Sequence, residues 1–152
     1  MKQTARISQL FKDLNDGSPW LGVNINETLE EISAEQASKR IAEGRNTIWE
    51  IVNHMAAWRL NVLERIQGKT IANPSHNYIL PVENTSEAAW EDAKNQLKAT
   101  EQEWLDFLEN FDEDKFSEIY STNKMTYYEH IHGILQHDAY HLGQIVLLSK
   151  LL

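Results

Sequence analysis

The sequence contains no cysteine, and only six glycines and three prolines occur among its 152 residues. The absence of cysteine excludes disulfides, a thiolate zinc site, an iron–sulfur cluster and a cysteine nucleophile. The scarcity of glycine and proline favours a few long helices over many short strands. No apolar run approaches the roughly 18 residues of a membrane span, and the N-terminal stretch MKQTARISQLFKDLNDG lacks the apolar core of a signal peptide. We therefore expect a cytoplasmic protein with no membrane partner.

Basic residues are also scarce, because 14 lysines and arginines stand against 23 acidic residues and give a formal net charge of −9. Proteins that bind nucleic acid usually carry the opposite balance, since neutralised phosphates supply most of the non-specific affinity. The charge thus predicts a small-molecule substrate or protein partner and no nucleic acid. Residues 1–152 are expected to form a single domain, because two domains would each be too small to bury a core.

Apolar residues recur at helical spacing in four long segments, at about 3–15, 46–67, 85–111 and 126–152, and in a short one at about 33–41. Asn46 is the predicted N-cap of the second long helix, and capping boxes are predicted at Ser33 and Thr126. Four helices of this length predict an all-α fold, a four-helix bundle.

The connection at 68–84 contains two prolines and no helical period. Fully extended, its residues could span roughly 55 Å at about 3.3 Å each, whereas the preceding helix is only about 33 Å long. The second and third long helices therefore need not be antiparallel neighbours.

His137 and His141 lie four residues apart in the last predicted helix. This spacing places two imidazoles one turn apart on one face, where both can bind one metal ion, as in helical H-E-x-x-H zinc sites. Asp138 stands where that motif has its glutamate base, so the pattern does not favour a metalloprotease. A catalytic site usually needs a third protein ligand.

His54 is the best candidate for that third ligand, because it shares an apolar stripe of the second long helix and should point inward. Trp58, one turn later, is expected to line the same cavity. His130 is a rival, but it lies two turns, about 10 Å, from His137, and fits better as a pocket-floor residue. An unpaired buried imidazole is costly, so a metal ion and a hydrogen-bonded histidine core remain alternatives for His54.

Two segments, GRNTIWEIVNHMAAW at 44–58 and HGILQHDAYHLGQI at 132–145, resemble the second- and fourth-helix signatures of the DinB-like superfamily. The resemblance implies an up-down-down-up four-helix bundle. It also implies a divalent ion, commonly nickel or zinc, held by His54, His137 and His141. Some members are thiol-dependent, namely bacillithiol transferases and the mycothiol-dependent maleylpyruvate isomerase, and others are described as metal-dependent hydrolases.

Together, the residues and the resemblance predict a metal-dependent enzyme, with transfer of a low-molecular-weight thiol as the first hypothesis and hydrolysis as the second. A helical protein that binds a metal or small ligand without turnover, and a purely structural dimer, are the alternatives. Glu50 and Gln144 are expected to face the cavity, where either could orient a ligand imidazole or position bound water.

The third and fourth long helices carry more apolar residues than one buried stripe requires. These are Trp90, Trp104, Phe107, Tyr127, Tyr128, Ile131 and Tyr140. Exposed apolar faces usually mark interfaces, and twofold pairing is the commonest arrangement, so we expect a homodimer. The alternative is that the loop at 20–23 folds over the surplus face.

Overall fold

The computed structural model describes residues 2–152, and the predicted all-α class is confirmed. Its α-helices are α1 (Gln3–Asp16), α2 (Ile25–Glu30), α3 (Ala34–Ser38), α4 (Ile48–Ile66), α5 (Glu87–Asn110) and α6 (Tyr127–Ser149), with a 3-10 helix at Glu113–Ser117. The capping boxes predicted at Ser33 and Thr126 are present, whereas α2 was not predicted. The β pairing within 2–152 is limited to one isolated bridge between Ile119 and Thr126.

None of the described helices combines the length and the apolar character needed to cross a bilayer.

The start of α4 differs by one residue from the prediction, because its N-cap is Thr47 rather than Asn46. The hydroxyl of Thr47 accepts the backbone N–H of Glu50 at 3.1 Å, and Glu50 Oε2 accepts the backbone N–H of Thr47 at 2.8 Å. This reciprocal pair is a capping box. Glu50 therefore helps to initiate the helix.

Contacts between α4 and α5 occur in the same order along both helices. Near their N-termini the rings of Trp49 and Trp90 lie 5.1 Å apart. Farther along, Trp104 Nε1 donates to the backbone oxygen of Arg59 at 3.1 Å. The two helices therefore run parallel, and the connection between them returns along the bundle.

The N-terminal helix α1 runs in the opposite direction to α5. Phe11 of α1 stacks on Trp104 with ring centroids 5.1 Å apart. The backbone N–H of Thr4, one end of α1, donates at 2.8 Å to Glu113, which follows the C-terminal end of α5. The core thus continues from α5 onto α1.

Helix α6 is antiparallel to α4, since Arg59 pairs with Asp138 while the earlier His54 lies 4.6 Å from the later His141 between ring centroids. The four long helices therefore have the relative directions of an up-down-down-up order. This order places the middle of α4 directly against the two histidines of α6.

One buried side chain joins all four long helices. Arg59 is completely buried, and its Nε donates to Asp138 Oδ2 on α6 at 2.7 Å. Its Nη1 donates to Leu97 O and Thr100 Oγ1 on α5, both at 3.2 Å, and its Nη2 donates to Asn15 Oδ1 on α1 at 2.9 Å. Each of the three guanidinium nitrogens thus donates at least one hydrogen bond inside the bundle.

The surplus apolar face from which we predicted a homodimer is internal only in part, because Tyr140 is 64% exposed. The homodimer therefore stays a prediction. Three of its members are completely buried, namely Trp90, Trp104 and Ile131. Tyr128 packs on Phe116 of the 3-10 helix at 5.6 Å between ring centroids, so an element with no helical period in the sequence supplies the cover. The alternative cover, the loop at 20–23, is wrong, because Trp20 is 100% exposed.

Candidate metal centre

The imidazoles of His54 on α4 and of His137 and His141 on α6 converge on one point. His137 Nε2 lies 2.9 Å from His54 Nε2 and 3.1 Å from His141 Nε2. In the part of the chain that the structure describes, these residues form the one group of three or more candidate ligands whose donor atoms all lie within 4.8 Å of one another. The structure therefore brings the three predicted histidines together.

Oxygen atoms behind two of these rings determine which nitrogen carries the proton. His54 Nδ1 lies 2.6 Å from the backbone oxygen of Asn77, and His141 Nδ1 lies 2.7 Å from Oε1 of Gln144. A carbonyl oxygen only accepts a hydrogen bond, so both Nδ1 atoms are donors and both Nε2 atoms present lone pairs.

Hydrogen bonding among the three rings cannot satisfy these lone pairs together. His137 has one Nε2, and its single proton could serve either His54 or His141 but not both. Three imidazole nitrogens aimed at one point are the donor set of many metal sites. The cluster is therefore compatible with a divalent metal ion.

The electrostatics of the site favour neutral imidazoles. Burial is the main cause that lowers the pKa of His141 to about 4. Burial also lowers the pKa of His54, although the hydrogen bond to Asn77 acts in the opposite direction. Because metal ions bind the deprotonated ring nitrogen, both shifts keep ligand lone pairs available at neutral pH.

The carboxyl group of Asp138 stands behind the third histidine. Asp138 Oδ1 lies 3.5 Å from His137 Nδ1, the limit of hydrogen-bond distance. The other oxygen of Asp138 accepts the buried guanidinium of Arg59. The carboxylate is therefore held in place by the core network and not by the histidine alone.

A cleft of about 500 Å³ opens over the three imidazoles. Its other walls are Asn46, Trp58, Asn77, Ile79, Tyr140 and Gln144, none of which carries a charge. Trp58 Nε1 donates to Asn77 Oδ1 at 3.0 Å, and Gln144 Nε2 donates to the hydroxyl of Tyr140 at 3.0 Å. Trp58 and Gln144 thus line the cavity where the sequence places them.

Two other predicted pocket residues lie elsewhere. Glu50 is engaged by Thr47 and by Arg40, whose Nη2 donates to it at 2.6 Å, and it does not line the cleft. His130 Nδ1 lies 3.0 Å from Thr126 O, and its Nε2 lies 3.1 Å from Asn123 Nδ2. His130 is therefore held by its own helix start, away from the three imidazoles.

Sequence reasoning missed Asn77 and Tyr140, both of which line the cleft. Asn77 and the following Tyr78 adopt φ values of 50° and 57°, in the left-handed region that side-chain-bearing residues seldom occupy. This turn aims the Asn77 carbonyl at His54. A backbone contact made by a loop leaves no periodic signal, whereas Tyr140 was noted only as a surface aromatic.

The comparisons with known proteins agree with the fold. The sequence profile of the DinB superfamily matches residues 23–145, and the chain therefore belongs to this superfamily. No match was found among the curated proteins.

Two solved structures have a similar fold. A conserved protein from Enterococcus faecalis aligns with a TM-score of 0.71 at 14% identity, over 99% of this chain and 97% of that chain. The colibactin self-resistance protein ClbS, in complex with double-stranded DNA, aligns with a TM-score of 0.66 at 19% identity, over 97% and 94%. At these identities the likeness concerns the fold alone.

The ClbS complex corrects one prediction. The net charge of −9 was the ground for excluding nucleic acid as a partner, and this exclusion is wrong, because a protein of similar fold is seen in complex with duplex DNA. Phosphate binding depends on the local placement of lysines and arginines. The sum of charges over a whole chain does not report that placement.

Proposed function

We propose that the chain is a metal-dependent enzyme in which His54, His137 and His141 bind one divalent ion. The observation that carries the proposal is the convergence of three Nε2 atoms, with Nδ1 of His54 and of His141 held by carbonyl oxygens. Imidazole ligands suit nickel and zinc, among other transition metals, and we propose one of these two as the ion.

A divalent ion held by three neutral imidazoles lowers the pKa of a thiol or water and so provides a nucleophile at neutral pH. The chain itself fixes the ring planes, through Asn77 at His54 and Gln144 at His141. Trp58 and Ile79 shield the cavity with apolar surface, and the uncharged amides of the lining can bind hydroxyl or amide groups of a small thiol.

The reaction that we propose is transfer of a low-molecular-weight thiol to an electrophilic small molecule. The thiol releases its proton to solvent, and its sulfur forms a bond to an electrophilic carbon. The leaving group departs with the electron pair of the bond that breaks. Support comes from the motifs at 44–58 and 132–145, which resemble the signatures of a superfamily that includes thiol-dependent members.

Metal analysis of protein purified without an affinity tag tests the centre. We expect about one ion per chain in the wild type and a large loss in His54→Ala, His137→Ala and His141→Ala. The control is His76→Ala, because His76 is exposed and does not line the cleft. Stoichiometric metal in His137→Ala would contradict the assignment.

Turnover tests the reaction class. Nickel- or zinc-loaded protein is mixed with common cellular thiols and 1-chloro-2,4-dinitrobenzene, and thioether formation is followed by absorbance. Turnover that requires both the thiol and the three histidines supports the transferase. Thiol-independent cleavage of an ester substrate would instead support the hydrolase, and metal binding without either activity would support a binding protein.

A further inference from the structure

A second cleft, of about 390 Å³, lies beside the histidine cluster. Asn46 and Gln144 line both clefts, so the two cavities are adjacent and share a wall. The new cleft extends between the segment that precedes α4 and the C-terminal half of α6. Its volume falls in the range of roughly 300–1,000 Å³ that is typical of small-molecule sites.

The walls of this second cleft include exposed aliphatic side chains. Leu147 on α6 is 60% exposed and Ile41 is 40% exposed, and both line the same concavity. Aliphatic surface in a concave position favours occupation by an apolar ligand, because the ligand removes that surface from water.

One uncompensated positive charge stands in the same wall. Arg40 is neutralised by Glu50 at 2.6 Å, whereas Arg45, which lines the second cleft, has no ion-pair partner within residues 2–152. A guanidinium without an ion-pair partner beside an apolar cleft forms a local site for an anion, even in a chain whose net charge is −9.

We propose that the second cleft binds the apolar body of a small amphipathic organic anion, whose acidic group pairs with Arg45. The proposal rests on the proposed function, because the reactive end of the same molecule lies at the histidine cluster. Asn46, at the junction of the clefts, provides an amide for the polar linkage between the two ends. The substrate class is therefore a small electrophile with an aliphatic or aromatic body and a carboxylate, sulfonate or phosphate.

Two fluorescent probes with matched rings test this assignment on metal-free protein. The first is 8-anilinonaphthalene-1-sulfonate, an amphipathic anion, and the second is N-phenyl-1-naphthylamine, which lacks the sulfonate. Arg45→Gln should lower the affinity for the sulfonate probe about threefold to fivefold and leave the affinity for the neutral probe unchanged. Leu147→Gln should lower the affinity for both probes about tenfold, because it removes an apolar contact with each probe.

Matched controls come from exposed residues on α1. Arg6→Gln and Leu10→Gln change the same residue types outside both clefts, and neither should alter the affinity for either probe. Equal probe affinities in the wild type, Arg45→Gln and Leu147→Gln would overturn the proposal, as would failure of the wild type to bind the sulfonate probe.

Metal content of each protein, measured before the metal is removed for the probe titrations, separates this proposal from the proposed function. If the wild type never retains metal but the probes show the expected selectivity, the result supports the anion cleft and contradicts the metal centre. A wild type that retains stoichiometric metal while Arg45→Gln and Leu147→Gln bind both probes normally overturns the anion cleft alone.

Discussion

Arg59 Nε and Asp138 Oδ2 lie 2.7 Å apart, and neither side chain is accessible to solvent. Arg59 also donates to α1 and α5, and Asp138 directly follows His137 in the sequence. The pair therefore connects the packing of the bundle to the orientation of one proposed metal ligand. A change in this pair should be detected first in the stability of the fold.

Arg59→Met should destabilise the metal-free protein by about 3–5 kcal/mol, because it leaves the buried Asp138 carboxylate without its partner. Urea denaturation followed by circular dichroism measures the loss. Lys69→Gln is the control, since both side chains of its pair with Glu64 are exposed, at 61% and 43%, and a pair of that kind contributes about 1 kcal/mol or less. An Arg59→Met protein as stable as Lys69→Gln would show that the buried pair does not stabilise the bundle.

Gln144→Leu should lower metal affinity by about tenfold to a hundredfold, because His141 Nδ1 loses the oxygen that fixes its tautomer. Gln144→Glu keeps an acceptor at the same position and should retain most of the affinity. Competition with a chromophoric chelator measures both. Tyr140→Phe removes the other hydrogen bond of the same amide and should bind metal like the wild type, and equal affinities for the leucine and glutamate variants would refute the role of Gln144.

Asn77→Ala should weaken metal binding more than Asn77→Gly. Both substitutions remove the hydrogen bond from Trp58, but only alanine is strained at the φ of 50°, by roughly 1–2 kcal/mol. Glycine should therefore keep the carbonyl aimed at His54. The same chelator competition compares the two variants, and tighter binding by Asn77→Ala would mean that the turn does not position His54.

The unfolding free energy of the metal-free protein should fall as the pH drops from 7 to 5. Burial lowers the folded-state pKa of His141 from 6.5 to about 4, so the unfolded chain binds a proton in this window that the folded chain does not. Well above pH 6.5 both states are neutral at this residue and its contribution is constant. Urea titrations at several pH values measure the slope.

The matched variants for this pH dependence are His141→Gln and His76→Gln. The first removes a group whose pKa differs between the folded and unfolded states, and should flatten the decline between pH 7 and 5. The second changes an exposed histidine outside the cleft and should leave the decline unchanged. An identical slope in wild type and His141→Gln would show that His141 is not responsible.

Periodicity predicts the long helices and the helix face that each of the three histidines occupies, whereas the resemblance to the DinB-like superfamily predicts that the three meet. His137 and His141 share a helix face by their spacing, and His54 lies on an apolar stripe that must face the core. Contacts between residues far apart in the sequence leave no periodic pattern in it. The position of Glu50 suits either a cavity wall or a capping box with Thr47, and only the fold shows which one is realised.

The remaining errors concern loops, a short helix and the use of net charge. Helix α2 is six residues long, too short for a recognisable period, and the exposure of Trp20 depends on where its loop turns. Asn77 acts through a backbone carbonyl, which every residue type possesses. Net charge adds all side chains together and therefore cannot locate Arg45 beside an apolar cleft.

His54 and His137 are separated by 83 positions in the sequence. An ion shared by these residues would close a loop of that length, and cross-links across long loops restrict the unfolded chain most strongly. Helix α6 could not leave α4 while the ion stayed bound to both. The lifetime of the metal-loaded protein at high temperature would then be limited by the rate of metal release. Its resistance to heat would be a kinetic stability, set by that rate and not by the equilibrium free energy of unfolding.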